Sequence, residues 1–158
     1  MQKTNFKLFL VAALVFSCSV VGCNRGPNVQ LVEGVVLFKG EPLFRANVSF
    51  APKTEGSGIY ATGDTDEQGH FLLSSMQGGA PMKGAVVGEY DVCIVRMKDE
   101  PAKWVAAPVN PDGSVNPSGK IPIYESMIPA RYRDNATSGL SATVVKGKNT
   151  FKFELEDK

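Results

Sequence analysis

The chain is poor in the residues that carry most protein chemistry. Its 158 residues include one histidine, one tryptophan and three cysteines. A zinc site takes three or four His, Cys or carboxylate ligands, and His70 has no second imidazole to join it. Cys18 and Cys23 sit near the N-terminus, which leaves Cys93 alone in the remainder and gives no disulfide framework. Charge is balanced, with 17 basic and 16 acidic residues and no run of one sign. The basic footprint that nucleic acid requires is therefore missing. No apolar run approaches the roughly 20 residues of a membrane-spanning helix, and no stretch reads as a long amphipathic helix.

What is present begins at the N-terminus. Lys3 and Lys7 precede nine apolar residues, Leu8 to Phe16, and Ser17, Cys18 and Ser19 end the run before Val20-Val21-Gly22-Cys23. This is the layout of a secretory signal peptide. The last four residues resemble the lipobox of bacterial lipoproteins. The resemblance implies cleavage between Gly22 and Cys23, a diacylglycerol on the Cys23 thiol, and a fatty acyl chain such as palmitate on the freed amine. Several chains are needed because one lipid chain binds a membrane only marginally. Cys18 competes for the role, but Phe16 fits poorly two positions before it. The expected organisation is a signal peptide over residues 1–22, a lipidated tether over 23–28 and one domain over 29–158. Residues 1–22 hold two cations and no acid, so the remaining 136 residues are formally −1. Asn24, rather than Asp, follows the cysteine, which in the enterobacterial pattern implies the outer membrane, on its periplasmic or surface face.

From residue 29 the pattern is that of strands. Residues 29–38 are rich in Val, Leu and Phe around Gly34, whose place inside a strand marks a bulge or a close backbone approach. Ala46, Val48 and Phe50 alternate with polar or small residues, as do Leu140, Ala142 and Val144, and Phe151, Phe153 and Leu155. Residues 90–97 are apolar on both faces, the mark of a central strand. Turns are expected at 39–42, at 65–69 and, as a hairpin, at 146–149. In the second, Asp66 is placed to accept backbone amides and Gly69 to take a positive φ. Residues 76–84 read as a loop. Residues 98–120, with Pro101, Pro108, Pro111 and Pro117, read as one long Pro/Gly-rich loop. Pro122 and Pro129 limit any helix between them to a turn or two. The sum is a seven-stranded antiparallel β-sandwich.

Several stretches resemble a family. Val32-x-Gly34-x-Val36, Gly40-x-Pro42-Leu43, Ala46-x-Val48-x-Phe50, Thr65-Asp66-x-x-Gly69-x-Phe71-x-Leu73 and Gly88-x-Tyr90-x-Val92 occur in that order. They resemble the carboxypeptidase regulatory-like, transthyretin-like domains. Ile128-Pro129-x-x-Tyr132 and the pattern running from Val144 to Leu155 resemble small planctomycete-type lipoproteins that carry this domain. The match covers residues 30–97 and 121–155. It implies a seven-stranded sandwich and no particular activity.

Chemistry has few places to reside. Transthyretin-like hydroxyisourate hydrolases need several histidines and a C-terminal Tyr-Arg-Gly-Ser, whereas this chain has His70 and ends Glu156-Asp157-Lys158. Asp64-x-Asp66-x-Gln68-Gly69 matches the first half of a calcium loop, but Ser75 stands where a bidentate Glu is required. Cys93 reads as a small buried hydrophobe in a strand. Trp104 has two readings. It folds back as a plug over one end of the sandwich, or it stands out to stack on a sugar or anchor a protein partner. The expectation is a non-enzymatic, membrane-anchored module of the cell envelope, with no catalytic residue, metal or cofactor. Its anchor is Cys23 and its candidate contact is Trp104, with a protein partner and, as the alternative, a carbohydrate.

Overall fold

The computed structural model describes residues 28–114 and 119–157. The signal peptide and the Cys23 anchor lie outside the described residues. Among the described residues, fourteen strand segments and one 3-10 turn make an all-β fold. In order the strands are β1 Val29–Gln30, β2 Val32–Phe38, β3 Glu41–Pro42, β4 Asn47–Pro52, β5 Ala61–Asp64, β6 His70–Leu72 and β7 Ser74–Gln77. Then come β8 Ala80–Lys83, β9 Ala85–Val86, β10 Gly88–Val95, β11 Lys103–Ala106, β12 Lys120–Ile123, β13 Leu140–Val144 and β14 Asn149–Leu155, with the 3-10 turn Ala130–Arg133 between β12 and β13.

Two sheets face each other. One is antiparallel, in the order β13-β10-β4-β5-β7-β8. The other centres on β2, flanked on one side by β14 and on the other by β3 and β6. Alternation decides which residues point between them. Val48 and Phe50 of β4, Tyr90, Val92 and Ile94 of β10, Phe71 of β6, and Phe153 and Leu155 of β14 are all buried there. Phe50 is the hub. Its ring lies 5.8 Å from Tyr90 in its own sheet and 6.5, 5.7 and 6.1 Å from Phe71, Phe151 and Phe153 in the other. β10 lies between β13 and β4, the central place expected of it, but only its inner face is apolar throughout: Tyr90, Val92 and Ile94 are buried, whereas Glu89 and Asp91 join Cys93 and Val95 on the outer face.

The turn at residues 39–40 has both residues at positive φ, 54° at Lys39 and 83° at Gly40. That is the geometry of a two-residue hairpin turn matched to strand twist. At 66–69 the Asp66 Oδ1 accepts the amides of Gln68 at 3.0 Å and His70 at 2.8 Å, and Gly69 has φ 75°.

Several expectations are corrected. The 98–120 stretch is not a single loop: β11 pairs with β12. The 76–84 stretch holds most of the β7–β8 hairpin. Residues 146–149 do not close a hairpin, because β13 and β14 belong to different sheets and the link arches between them. Asn149 shapes that arch by accepting the Val145 amide at 2.8 Å and donating to the Val145 and Gly147 carbonyls at 2.9 and 3.0 Å. As a result β14 meets β2 in parallel along its whole length, so the fold is not wholly antiparallel. The strand segments also outnumber the seven expected. Leu73, for instance, divides one run between sheets: its amide donates to Val32 of one and its carbonyl accepts from Gly84 beside the other.

Gly34 sits at the crowded centre of the β2 sheet, paired with both Phe151 and Phe71. A Cβ there would lie 2.4 Å from the Phe151 carbonyl oxygen and 2.6 Å from the Phe71 ring. Gly34→Ala is therefore expected to destabilise the fold by about 1–3 kcal/mol, the usual cost of overpacking. A urea melt checks it, and an unchanged midpoint would contradict this packing.

Candidate functional site: an exposed two-stranded arm

β10 does not end its pairing at the edge of the sandwich. Beyond Val95 the Arg96 carbonyl accepts the Met127 amide at 2.8 Å, Met97 bridges Ser126, and the Lys98 amide donates to Glu125 at 2.9 Å. Between that bridge and the next regular pair, residues 98–102 lie opposite 124–125 in an irregular stretch that holds Pro101 and ends with the Ala102 amide on the Ile123 carbonyl at 2.8 Å. Regular pairing resumes at Lys103–Ile123, runs through Trp104–Pro122 and Val105–Ile121 to Ala106–Lys120, and is followed by the Ala107 amide on Gly119 at 3.1 Å. β11 and β12 pair with each other and with no other strand among the described residues. The result is a two-stranded arm continuous with the central strand.

Directly paired residues share a face. Trp104 therefore shares one with Pro122. Ile121 and Ile123 take the other. Trp104 is 58% exposed, so it does not plug the sandwich. Tyr124, Ile123, Met127 and Val109 are exposed as well. Isolated hairpins are marginal in water, and this one is fastened at its root. The buried Arg96 guanidinium donates to the Met97 carbonyl and holds both Asp99 oxygens at 3.2 Å. Arg45 reaches the same carboxylate at 3.5 Å, and Lys98 pairs with Glu125 across the strands at 2.7 Å. Hydrogen bonds from Arg96 chiefly, and then the Arg96 and Arg45 charges, hold the Asp99 carboxyl below its ordinary range.

The other sequence candidates do not join this site. Cys93 is buried, and burial pushes its thiol up, away from the reactive thiolate. His70 is exposed on β6, with Nδ1 3.9 Å from Asp66, beyond hydrogen-bonding distance. Asp66 spends Oδ1 on two amides, and Asp64 accepts from Asn47 at 2.9 Å. Among the described residues no group of three or more His, Cys, Asp or Glu is placed to hold a metal ion.

An open groove of about 780 Å³ crosses the outer face of the β2 sheet, lined by Glu33, Val35, His70, Leu72, Thr150 and Lys152 among others. Sequence reasoning missed it, although Glu33, Val35 and Leu72 occupy the outward positions that alternation assigns. Glu33 is bound by Lys148 at 2.8 Å, which lowers its carboxyl below the ordinary value. A general acid at neutral pH requires the opposite shift. Tyr124, Pro122 and Arg96 were also missed, since prolines hid the strands that carry or follow them.

No protein-family model and no curated protein matches the chain. Among solved structures it is similar to a 9R-lipoxygenase from Cyanothece PCC8801, with a TM-score of 0.39 and 16% identity. That likeness covers 82% of this chain and 16% of the lipoxygenase, and at that score it carries nothing about activity.

Because the folded Asp99 value is depressed, its stabilisation of the arm root is present above the ordinary carboxylate pKa. It is lost as pH falls through the depressed value. The pair is exposed on the Asp99 side, so the effect is small. Acidification is expected to weaken the Met97–Ser126 cross-strand contact in nuclear magnetic resonance before the core signals change. Asp99→Asn should remove that pH dependence, and an unchanged titration in the variant would contradict the clamp.

Proposed function

We propose that this protein is a non-enzymatic, membrane-anchored lipoprotein of the cell envelope, held by lipid on Cys23, whose transthyretin-like sandwich presents the arm to a protein partner. The observation that carries this reading is the position of the arm. The chain enters the sandwich at β1, which pairs with β9 just before β10 begins. β10 then runs from Gly88, opposite Val144, to Val95, opposite Asn47, and continues into the arm. The tether and the arm thus leave from opposite ends, separated by a strand of about 24 Å at 3.4 Å per residue. An anchor at Cys23 places the arm on the side facing away from its membrane.

A protein partner suits both faces of the arm. Trp104 and Tyr124 are the amphipathic anchors that protein interfaces favour. Ile123 and Met127 give further exposed apolar surface, and a two-stranded ribbon that pairs with no other strand among the described residues suits the addition of a partner's strand. The second reading is a carbohydrate, favoured by Trp104 and Pro122 sharing one face of the arm and by exposed Tyr124 just beyond β12. It leaves the aliphatic residues without a role.

The test passes the mature, detergent-solubilised chain over solubilised envelope proteins and, separately, over envelope glycans, with Trp104→Ala beside it. A specific protein is expected to be retained, with affinity reduced about thirty-fold by the substitution, the scale of an interface hot spot. Glycan retention that disappears in the variant would replace the protein reading with the sugar reading. Retention indifferent to Trp104 would remove the arm from the account.

A further inference from the structure

The end of the sandwich opposite the arm carries its own surface. Asn149 ties two exposed apolar residues together there, donating to the Val145 carbonyl at 2.9 Å and the Leu31 carbonyl at 3.4 Å. Leu31 is 45% and Val145 51% exposed. The backbone amide of Gly147 donates to Gln30 Oε1 at 2.8 Å, so the 145–148 arch lies directly against the point where the tether enters. Three lysines neighbour the pair, two along the chain and one beside Gly84. Lys146 and Lys148 follow Val145, and Lys83 precedes Gly84, where a Cβ would lie 3.2 Å from the Leu31 Cα. Lys148 is partly neutralised by Glu33 at 2.8 Å.

We propose that this end, centred on Leu31 and Val145 and rimmed by Lys83 and Lys146, is a second membrane contact that seats the domain on anionic lipid headgroups. The inference rests on the lipid anchor at Cys23 proposed above. Cys23 is six residues from Val29, and six residues span at most about 20 Å when fully extended. The tether therefore confines this end to the headgroup region and leaves no reach for an intervening protein domain. Apolar side chains rimmed by lysine are the composition that enters the interface, the aliphatic groups below and the ammonium groups among the phosphates. Each lysine near an anionic surface favours the seated state by about fivefold. Seating fixes the sandwich upright, with β10 directed outward and the arm at a set height, where the anchor alone would let the domain tumble.

The test uses the full chain expressed into membranes, purified in detergent and reconstituted into vesicles of phosphatidylglycerol and phosphatidylcholine. An environment-sensitive dye is placed at Val145→Cys or, as the control, at Glu41→Cys in β3 near the arm end; Cys93 is buried and stays unlabelled. Detergent phase partitioning first reports whether the chain carries lipid. The expected result is an anchored chain whose Val145 dye is quenched by bilayer nitroxide lipids while the Glu41 dye is not. Lys146→Gln is expected to reduce the ratio of seated to unseated protein by about fivefold, and phosphatidylcholine alone by more. An anchored chain with both dyes equally unquenched overturns the contact and leaves the lipid anchor standing. A chain that stays in the aqueous phase overturns both.

Discussion

The fold depends on the ring of Phe50. It contacts Tyr90 within its own sheet and three phenylalanines of the opposite one, Phe71, Phe151 and Phe153. Those three residues belong to β6 and β14, the strands on either side of β2. The cluster therefore joins the sheets, and Gly34 of β2 gives up its own side chain to make room for the Phe71 ring and the Phe151 carbonyl. Aromatic burial on this scale is the largest favourable contribution available to a domain without disulfides. The outer elements, including the arm, are positioned by strands that this cluster holds in place.

A second consequence follows from β10. It is buried on its inner face, bonded on both edges, and continues at one end into the arm while starting at the other beside the β1–β9 pair. A rigid central strand is a suitable strut between two surfaces. The Arg96–Asp99–Arg45 clamp stands where the strut leaves the core, so the arm begins from a fixed root. The chain's buried thiol is pushed away from reactivity, and Glu33 in the groove is held ionised.

Much of the sandwich was legible because alternation is a direct record of which face is buried. Ala46, Val48 and Phe50, and then Phe153 and Leu155, read as inward and are. The Asp66 turn was legible because its side-chain chemistry is local. Proline obscured the rest. Pro81 and Pro122 argue against a strand, yet β8 is a sheet edge and β12 has a single partner, where a missing amide donor costs nothing in the ladder. The parallel closure of β14 on β2 was illegible for another reason. A four-residue link fits a hairpin as well as an arch, and only the choice of sheet, made by Phe151 and Phe153 against Phe50, distinguishes them. The exposure of Trp104 likewise depends on the arm pairing with itself and with no other strand, which no local pattern records.

The central claim is that the sandwich separates the proposed lipid anchor from an exposed arm, and the single tryptophan makes it measurable without any substitution. The anchored chain, reconstituted in vesicles, would be titrated with iodide in the water and, separately, with brominated lipids in the bilayer while Trp104 emission is recorded. The account predicts strong quenching by iodide and none by the lipids. Quenching by the lipids with protection from iodide would place the arm in the membrane and contradict it.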